Sequence, residues 1–158
     1  MNIVIIGSGG REHALCYKLL KSSKINKIYC IPGNAGTDEI ATNIFADINN
    51  FDEIYKIVLK LNVELIVVGP EIPLVNGIVD YFEKKNIKIF GPNKKCSQLE
   101  GSKFFMKNIC KKYNIPSAKY FEISDINQIE KFLSSVSFPV VVKSDGCLLY
   151  TSPSPRDL

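Results

Sequence analysis

The stretch NIVIIGSGGREHAL concentrates the chain's most suggestive chemistry. An apolar run stops at Gly7, a turn with Gly9 and Gly10 follows, and a helical pattern begins near Arg11. Glycines at such a place let the backbone approach an anion and aim N–H groups at it, and a helix N-terminus adds its partial positive charge. That end contributes about 0.3–1 kcal/mol when exposed and up to ~2 kcal/mol when partly buried. Three glycines exceed what a plain strand-to-helix turn requires. The dinucleotide fingerprint G-x-G-x-x-G needs a third glycine where this chain has Glu12, and an acidic residue near the end of the second strand, where it has Cys30, Ile31 and Pro32. Both discriminators speak against NAD and FAD. A smaller phosphate ester fits the turn better, with Glu12 beside it for a ribose hydroxyl or an amine.

Two further residues stand where strands end. Glu71, in VVGPEIPLVNG, occupies a position that faces ligand in open α/β sheets; the alternative is a solvated helix start. Lys143 closes the apolar run 140–142 in FPVVVKSDG. A lysine there implies an anion nearby, or else a side chain that snorkels to water.

The elements that must position these residues follow a regular pattern. NIVIIG, KIYCIPG, ELIVVGP and IKIFGP are short apolar runs ending in Gly or Pro, and amphipathic stretches at 13–20, 51–61 and 74–85 separate them. Strands apolar on both faces and joined by helices indicate a parallel sheet covered on both sides. The pattern predicts a doubly wound, Rossmann-like α/β domain over about the first hundred residues, with its ligand at the carboxyl ends of the strands. Beyond Gly91-Pro92 it changes: a long lysine-rich helix over 97–113, a turn and strand in IPSAKYFEI, a helix over 124–136 capped by Ser124 or Asp125, and the strand of FPVVV. This reads as the start of a second domain.

Composition narrows the function classes. No apolar run approaches the roughly 18 residues of a membrane span, and MNIVIIGSGG enters strand and turn directly, unlike a signal peptide. Cysteines at 16, 30, 96, 110 and 147 form no metal-binding spacing, and His13 is the single histidine. An odd count without a leader suits reduced thiols and a cytoplasmic protein. The net charge of +4 comes from scattered lysines without interleaved aromatics, which argues against nucleic acid.

Taken in order, GSGGREHAL, PGNAGT, VVGPEIPLVNG, GPN, QLEGSK, YNIPSA and PVVVKSDG resemble the phosphoribosylamine–glycine ligase family of the ATP-grasp superfamily, from Met1 to about Gly146. Each motif alone is weak, since related carboxylases share the turn and the strand lysine; the ordered set is specific. The resemblance implies an N-terminal phosphoribosylamine-binding domain over 1–101 and the beginning of an ATP-grasp domain over 102–146. It implies ATP-dependent joining of glycine to 5-phosphoribosylamine, giving glycinamide ribonucleotide in purine synthesis. In such a reaction ATP phosphorylates the glycine carboxylate, Mg²⁺ spreads the phosphoryl charge, and the amine attacks the acyl phosphate. Gly9, Gly10 and Glu12 match the family's phosphoribosylamine loop. Lys103 of EGSK and Lys143 match lysines that contact the nucleotide phosphates. No catalytic residue and no Mg²⁺ ligand is assignable, the latter being expected downstream of this segment. Two other readings stay open: a non-catalytic phosphosugar-binding module, and a biotin-carboxylase-like member of the superfamily. Oligomeric state is unassigned. After Gly146 the motifs stop, and Lys, Asn and Ile, abundant before it, do not recur. The segment 147–158, CLLYTSPSPRDL, resembles a translated sequencing adapter and is expected to be foreign to the natural protein.

Overall fold

Residues 3–6 of the first apolar run are buried on both sides of a sheet, and alternation along the strand decides which helix each one meets. The computed structural model describes residues 1–142 and Asp145. Five parallel strands, β1 (Asn2–Gly7), β2 (Lys27–Pro32), β3 (Thr42–Asn43), β4 (Val63–Val68) and β5 (Ile89–Phe90), lie in the order β3-β2-β1-β4-β5. The helices are α1 (Gly10–Leu19), α2 (Ala35–Asp38), α3 (Phe51–Lys60), α4 (Glu71–Asn76), α5 (Ile78–Glu83), α6 (Lys94–Gly101), α7 (Lys103–Lys112) and α8 (Gln128–Leu133). Ile3, Ile5, Ile28, Cys30 and Val67 face Cys16 of α1. Val4, Ile6, Tyr29, Ile31, Ile66 and Val68 face the other way, onto Ile54 and Val58 of α3, Leu74 of α4, and Ile78, Val79 and Phe82 of α5. Each fully buried side chain of this size contributes roughly 1.5–3 kcal/mol relative to leaving it exposed. Cys16 Sγ and Cys30 Sγ lie 3.1 Å apart between α1 and β2, and burial raises both thiol pKa values.

The expected doubly wound α/β sheet is present, and its switch point lies between β1 and β4, where the strand order reverses. Two of the expected helices are each divided in two. The stretch 74–85 belongs to two helices, because Gly77 adopts a left-handed φ of 96° that ends α4 and starts α5. The predicted helix over 97–113 is also two, because Ser102 is extended and its Oγ accepts a hydrogen bond from Phe105 N at 3.1 Å, capping α7. Two-residue β3 is too short to leave a sequence pattern.

The chain divides into two compact units, one of Met1–Ser97 and one beginning at Gln98. In the second, none of the described residues is buried. The strands expected in IPSAKYFEI and in FPVVV are not formed, and the helix expected over 124–136 is reduced to α8. A strand needs a hydrogen-bonded neighbour and a covered face. Val141 and Val142, 74% and 82% exposed, have no such cover. No helix among the described residues is long and apolar enough to cross a membrane.

Candidate functional site

The carboxyl ends of β2 and β4 are tied to that of β1. Gly33 N donates to Gly7 O at 3.1 Å, and Gly69 N donates to Ile6 O at 3.0 Å. Three loops therefore meet at one end of the sheet, and the glycine turn is the middle one. The second loop, PGNAGT, is clamped onto the first by Asn34. Its Nδ2 donates to Ser8 O at 2.8 Å, while its Oδ1 caps α2 by accepting from Thr37 N at 3.0 Å. Thr37 Oγ1 and Asn43 Nδ2 both donate to Asn34 O, at 2.9 and 2.8 Å, so the loop is fixed by its own side chains.

Gly9, Gly10 and Glu12 are brought together, but their roles divide. Gly9 is the N-cap of α1 and Glu12 its third helical residue. The Glu12 carboxylate turns back, and Oε2 accepts from Gly9 N at 2.5 Å, the glutamate half of a capping box. Glu12 is only 3% exposed. It lies in a cage of glycines: a Cβ on Gly7 would stand 2.8 Å from Glu12 Cδ, one on Gly9 2.8 Å from Oε2, and one on Gly69 would overlap Oε1. Of the three turn glycines, Gly7 and Gly9 thus pack against the glutamate, and the Gly9 N–H is already taken, whereas the sequence suggested that Gly7, Gly9 and Gly10 all present their N–H groups to an anion. The other backbone donors of the first turn are the N–H groups of Gly10, Arg11 and Glu12. Among the described residues, a Cβ on Gly10 would meet nothing within 4 Å, so their packing does not demand glycine there and leaves space over its backbone. Glu12 Oε1 is buried and, among the described residues, has no hydrogen-bond partner.

Glu71 is the first residue of α4, and its side chain is partly buried rather than fully solvated. It also reaches across the switch point: Arg11 Nη2 donates to Glu71 Oε1 at 3.0 Å. Sequence reasoning passed over Arg11 and Asn34. The signal for Arg11 was its charge at a helix start, where a cation opposes the dipole unless an anion is near. For Asn34 it was an Asn three residues before a Thr, the spacing of a helix cap.

Lys103 begins α7. At that helix end the donors are engaged by Asp145: Lys103 N and Phe104 N donate to Oδ1 at 2.7 and 3.4 Å, and the Ser102 hydroxyl donates to Oδ2 at 2.9 Å. A phosphate at this helix start would compete with the Asp145 carboxylate for those donors. Lys143 and the segment 147–158 lie outside the described residues. Mg²⁺ does not fit what is described: no group of three or more His, Cys, Asp or Glu residues could hold a metal ion there.

The chain is similar to known proteins along most of its length. The N domain of phosphoribosylglycinamide synthetase matches residues 1–100, and the ATP-grasp (A) domain of the same enzyme matches residues 101–149. A phosphoribosylamine–glycine ligase of Caldanaerobacter subterraneus is 42% identical over 146 residues, covering 92% of this chain and 35% of that protein. A bifunctional purine biosynthetic protein of Dictyostelium discoideum is 44% identical over 148 residues, 18% of its length. The crystal structure of phosphoribosylamine–glycine ligase from Thermotoga maritima superposes with a TM-score of 0.68 at 30% identity, over 93% of this chain and 34% of that one. The chain spans about a third of the length of the single-function ligases it matches. With its parallel sheet, glycine turn and ordered motifs matched by the N domain over 1–100 and the ATP-grasp domain from 101, the chain belongs to the phosphoribosylglycinamide synthetase family.

Proposed function

We propose that the chain carries the phosphoribosylamine-binding domain, over 1–101, and the beginning of the ATP-grasp domain, over 102–146, of an ATP-dependent cytoplasmic ligase. That enzyme joins glycine to 5-phosphoribosylamine and releases glycinamide ribonucleotide. The observation that carries the reading is the open first turn of α1 at the β1–β4 switch point, in a segment matched by the synthetase N domain. The phosphate of phosphoribosylamine sits on the N–H groups of Gly10 and the residues after it, where the helix end favours negative charge. Gly9 contributes by holding Glu12, not by touching the phosphate. Glu12 Oε1, lacking a partner, accepts from a ribosyl hydroxyl or the amine; leaving such an oxygen unpaired costs about 1–3 kcal/mol, which a donor on the ligand offsets. Glu71 faces the same crevice and takes the amine end of the ligand. Lys103 and Lys143 supply positive charge for the ATP phosphates. ATP supplies the phosphoryl group that activates the glycine carboxylate, and this chain's part is to hold and orient the attacking amine.

Calorimetric titration with ribose 5-phosphate, ribose and NADH tests this. Ribose 5-phosphate binds in the millimolar range or tighter, ribose at least tenfold more weakly, and Gly10→Val removes the phosphate preference without lowering the melting temperature appreciably. Equal binding of ribose and ribose 5-phosphate, or preference for NADH, overturns the reading.

A further inference from the structure

Arg11 and Glu71 stand on opposite sides of the crevice that the fold reserves for a ligand. Arg11 is the second residue of α1, beyond the end of β1, and Glu71 opens α4, beyond the end of β4. Their side chains meet at 3.0 Å over the one place in the sheet where the strand order reverses. Arg11 is 60% exposed and Glu71 22%. The placement of Arg11 is unfavourable by itself, because a cation in the first turn opposes the helix dipole. The Glu71 carboxylate compensates, at the mouth of the crevice rather than in the core. Arg11 N–H belongs to the same first turn that presents donors over Gly10. A phosphomonoester held there brings its dianion beside a guanidinium, whose fork of donors matches phosphate oxygens better than one carboxylate oxygen at a partly exposed site.

We infer that Arg11 is a ligand-binding residue that exchanges partners: paired with Glu71 across the crevice, it turns to the phosphate of a bound phosphomonoester, releasing Glu71 to the rest of the ligand. The inference rests on the proposed phosphomonoester site and adds to it a specificity residue and its resting counter-ion. Glu71 is then a competitor for Arg11 toward any ligand that lacks an amine, and a contact for one that carries it.

Titration of the whole chain and its Arg11→Gln and Glu71→Gln variants with ribose 5-phosphate and ribose, at low ionic strength, tests the exchange. Retained amide spectra show that each variant is folded; both side chains reach solvent, so neither change opens the core. Arg11→Gln weakens ribose 5-phosphate about tenfold or more, a charge-assisted hydrogen bond's worth, and leaves ribose unchanged. Glu71→Gln tightens ribose 5-phosphate about two- to fivefold, the range of a partly exposed ion pair, because the probe has no amine. If the unaltered chain binds no ribose 5-phosphate, the phosphomonoester site itself is wrong and this inference falls with it. If the unaltered chain binds it and Arg11→Gln binds equally well, or Glu71→Gln binds more weakly, the exchange alone is refuted.

Discussion

Replacing Gly69 by Ala should destabilise the first unit through a residue 57 positions earlier in the chain, and only through it. The added Cβ would overlap Glu12 Oε1 and stand 2.6 Å from Cδ and 2.8 Å from Cγ. Glu12 is buried and its other oxygen is held by Gly9 N, so the side chain has little freedom to retreat. If the backbone shifts instead, overpacking costs about 1–3 kcal/mol. If the glutamate is expelled, a hydrogen bond to a charged acceptor is lost, about 1.5–3 kcal/mol. Between them, the two routes predict a loss of roughly 1–3 kcal/mol, or about 2–12 °C in melting temperature for a chain of this size. The chain has no tryptophan, so the assay is urea and thermal unfolding followed by far-UV circular dichroism, with backbone amide spectra to identify the unit that unfolds. The decisive comparison is a double-mutant cycle with Glu12→Ala. In that background the methyl group has room, and Gly69→Ala should cost under about 1 kcal/mol, giving a coupling of 1–3 kcal/mol. Equal cost in both backgrounds would refute the idea that Gly69 is glycine because of Glu12.

Other expectations follow from the same geometry. Burial raises the Cys30 thiol to about 12, with the adjacent Cys16 sulfur adding to the effect. Because the folded value lies above the ordinary 9.0, this contribution is complete below pH 9 and is lost as pH rises from 9 toward 12. Stability should therefore fall by on the order of a few kcal/mol over that window, and Cys30→Ala, though less stable at pH 7, should show a shallower decline in chemical unfolding; identical slopes would contradict it. Exposed Cys96 should react with a thiol reagent at neutral pH long before buried Cys16 and Cys30, read by peptide mapping of the labelled chain. The 158-residue chain alone should form no detectable glycinamide ribonucleotide from ATP, glycine and phosphoribosylamine, since it spans about a third of its relatives and its described residues hold no metal cluster. Turnover near that of a full-length relative would overturn this.

The first unit was legible because its strands carry the signal in their own residues. Val4 to Ile6 and Ile66 to Val68 are apolar on both faces, and each run ends in glycine within a residue or two. The second was less so: the apolar runs at 115–123 and 139–142 have strand composition, yet composition does not supply a hydrogen-bonded neighbour. At the candidate site, the glycines marked the turn that lies at the switch point, but their spacing could not say which of them packs against Glu12. That division depends on Gly69, far along the chain, closing over Glu12. The Arg11–Glu71 pair was hidden for the same reason, since it joins two loops that only the β1–β4 pairing brings together.

The central claim is that the first turn of α1 is the phosphate-binding element of a phosphoribosylamine site. Amide-resolved NMR of the isotope-labelled chain, titrated with ribose 5-phosphate, tests it most directly. The Gly10, Arg11 and Glu12 amides should shift together and saturate on one curve, while Gly9, whose N–H stays on Glu12, moves less, and inorganic phosphate should reproduce the pattern more weakly. If those three amides stay in place at saturating millimolar ligand, or if the largest shifts fall outside the loops that end β1, β2 and β4, the account is contradicted.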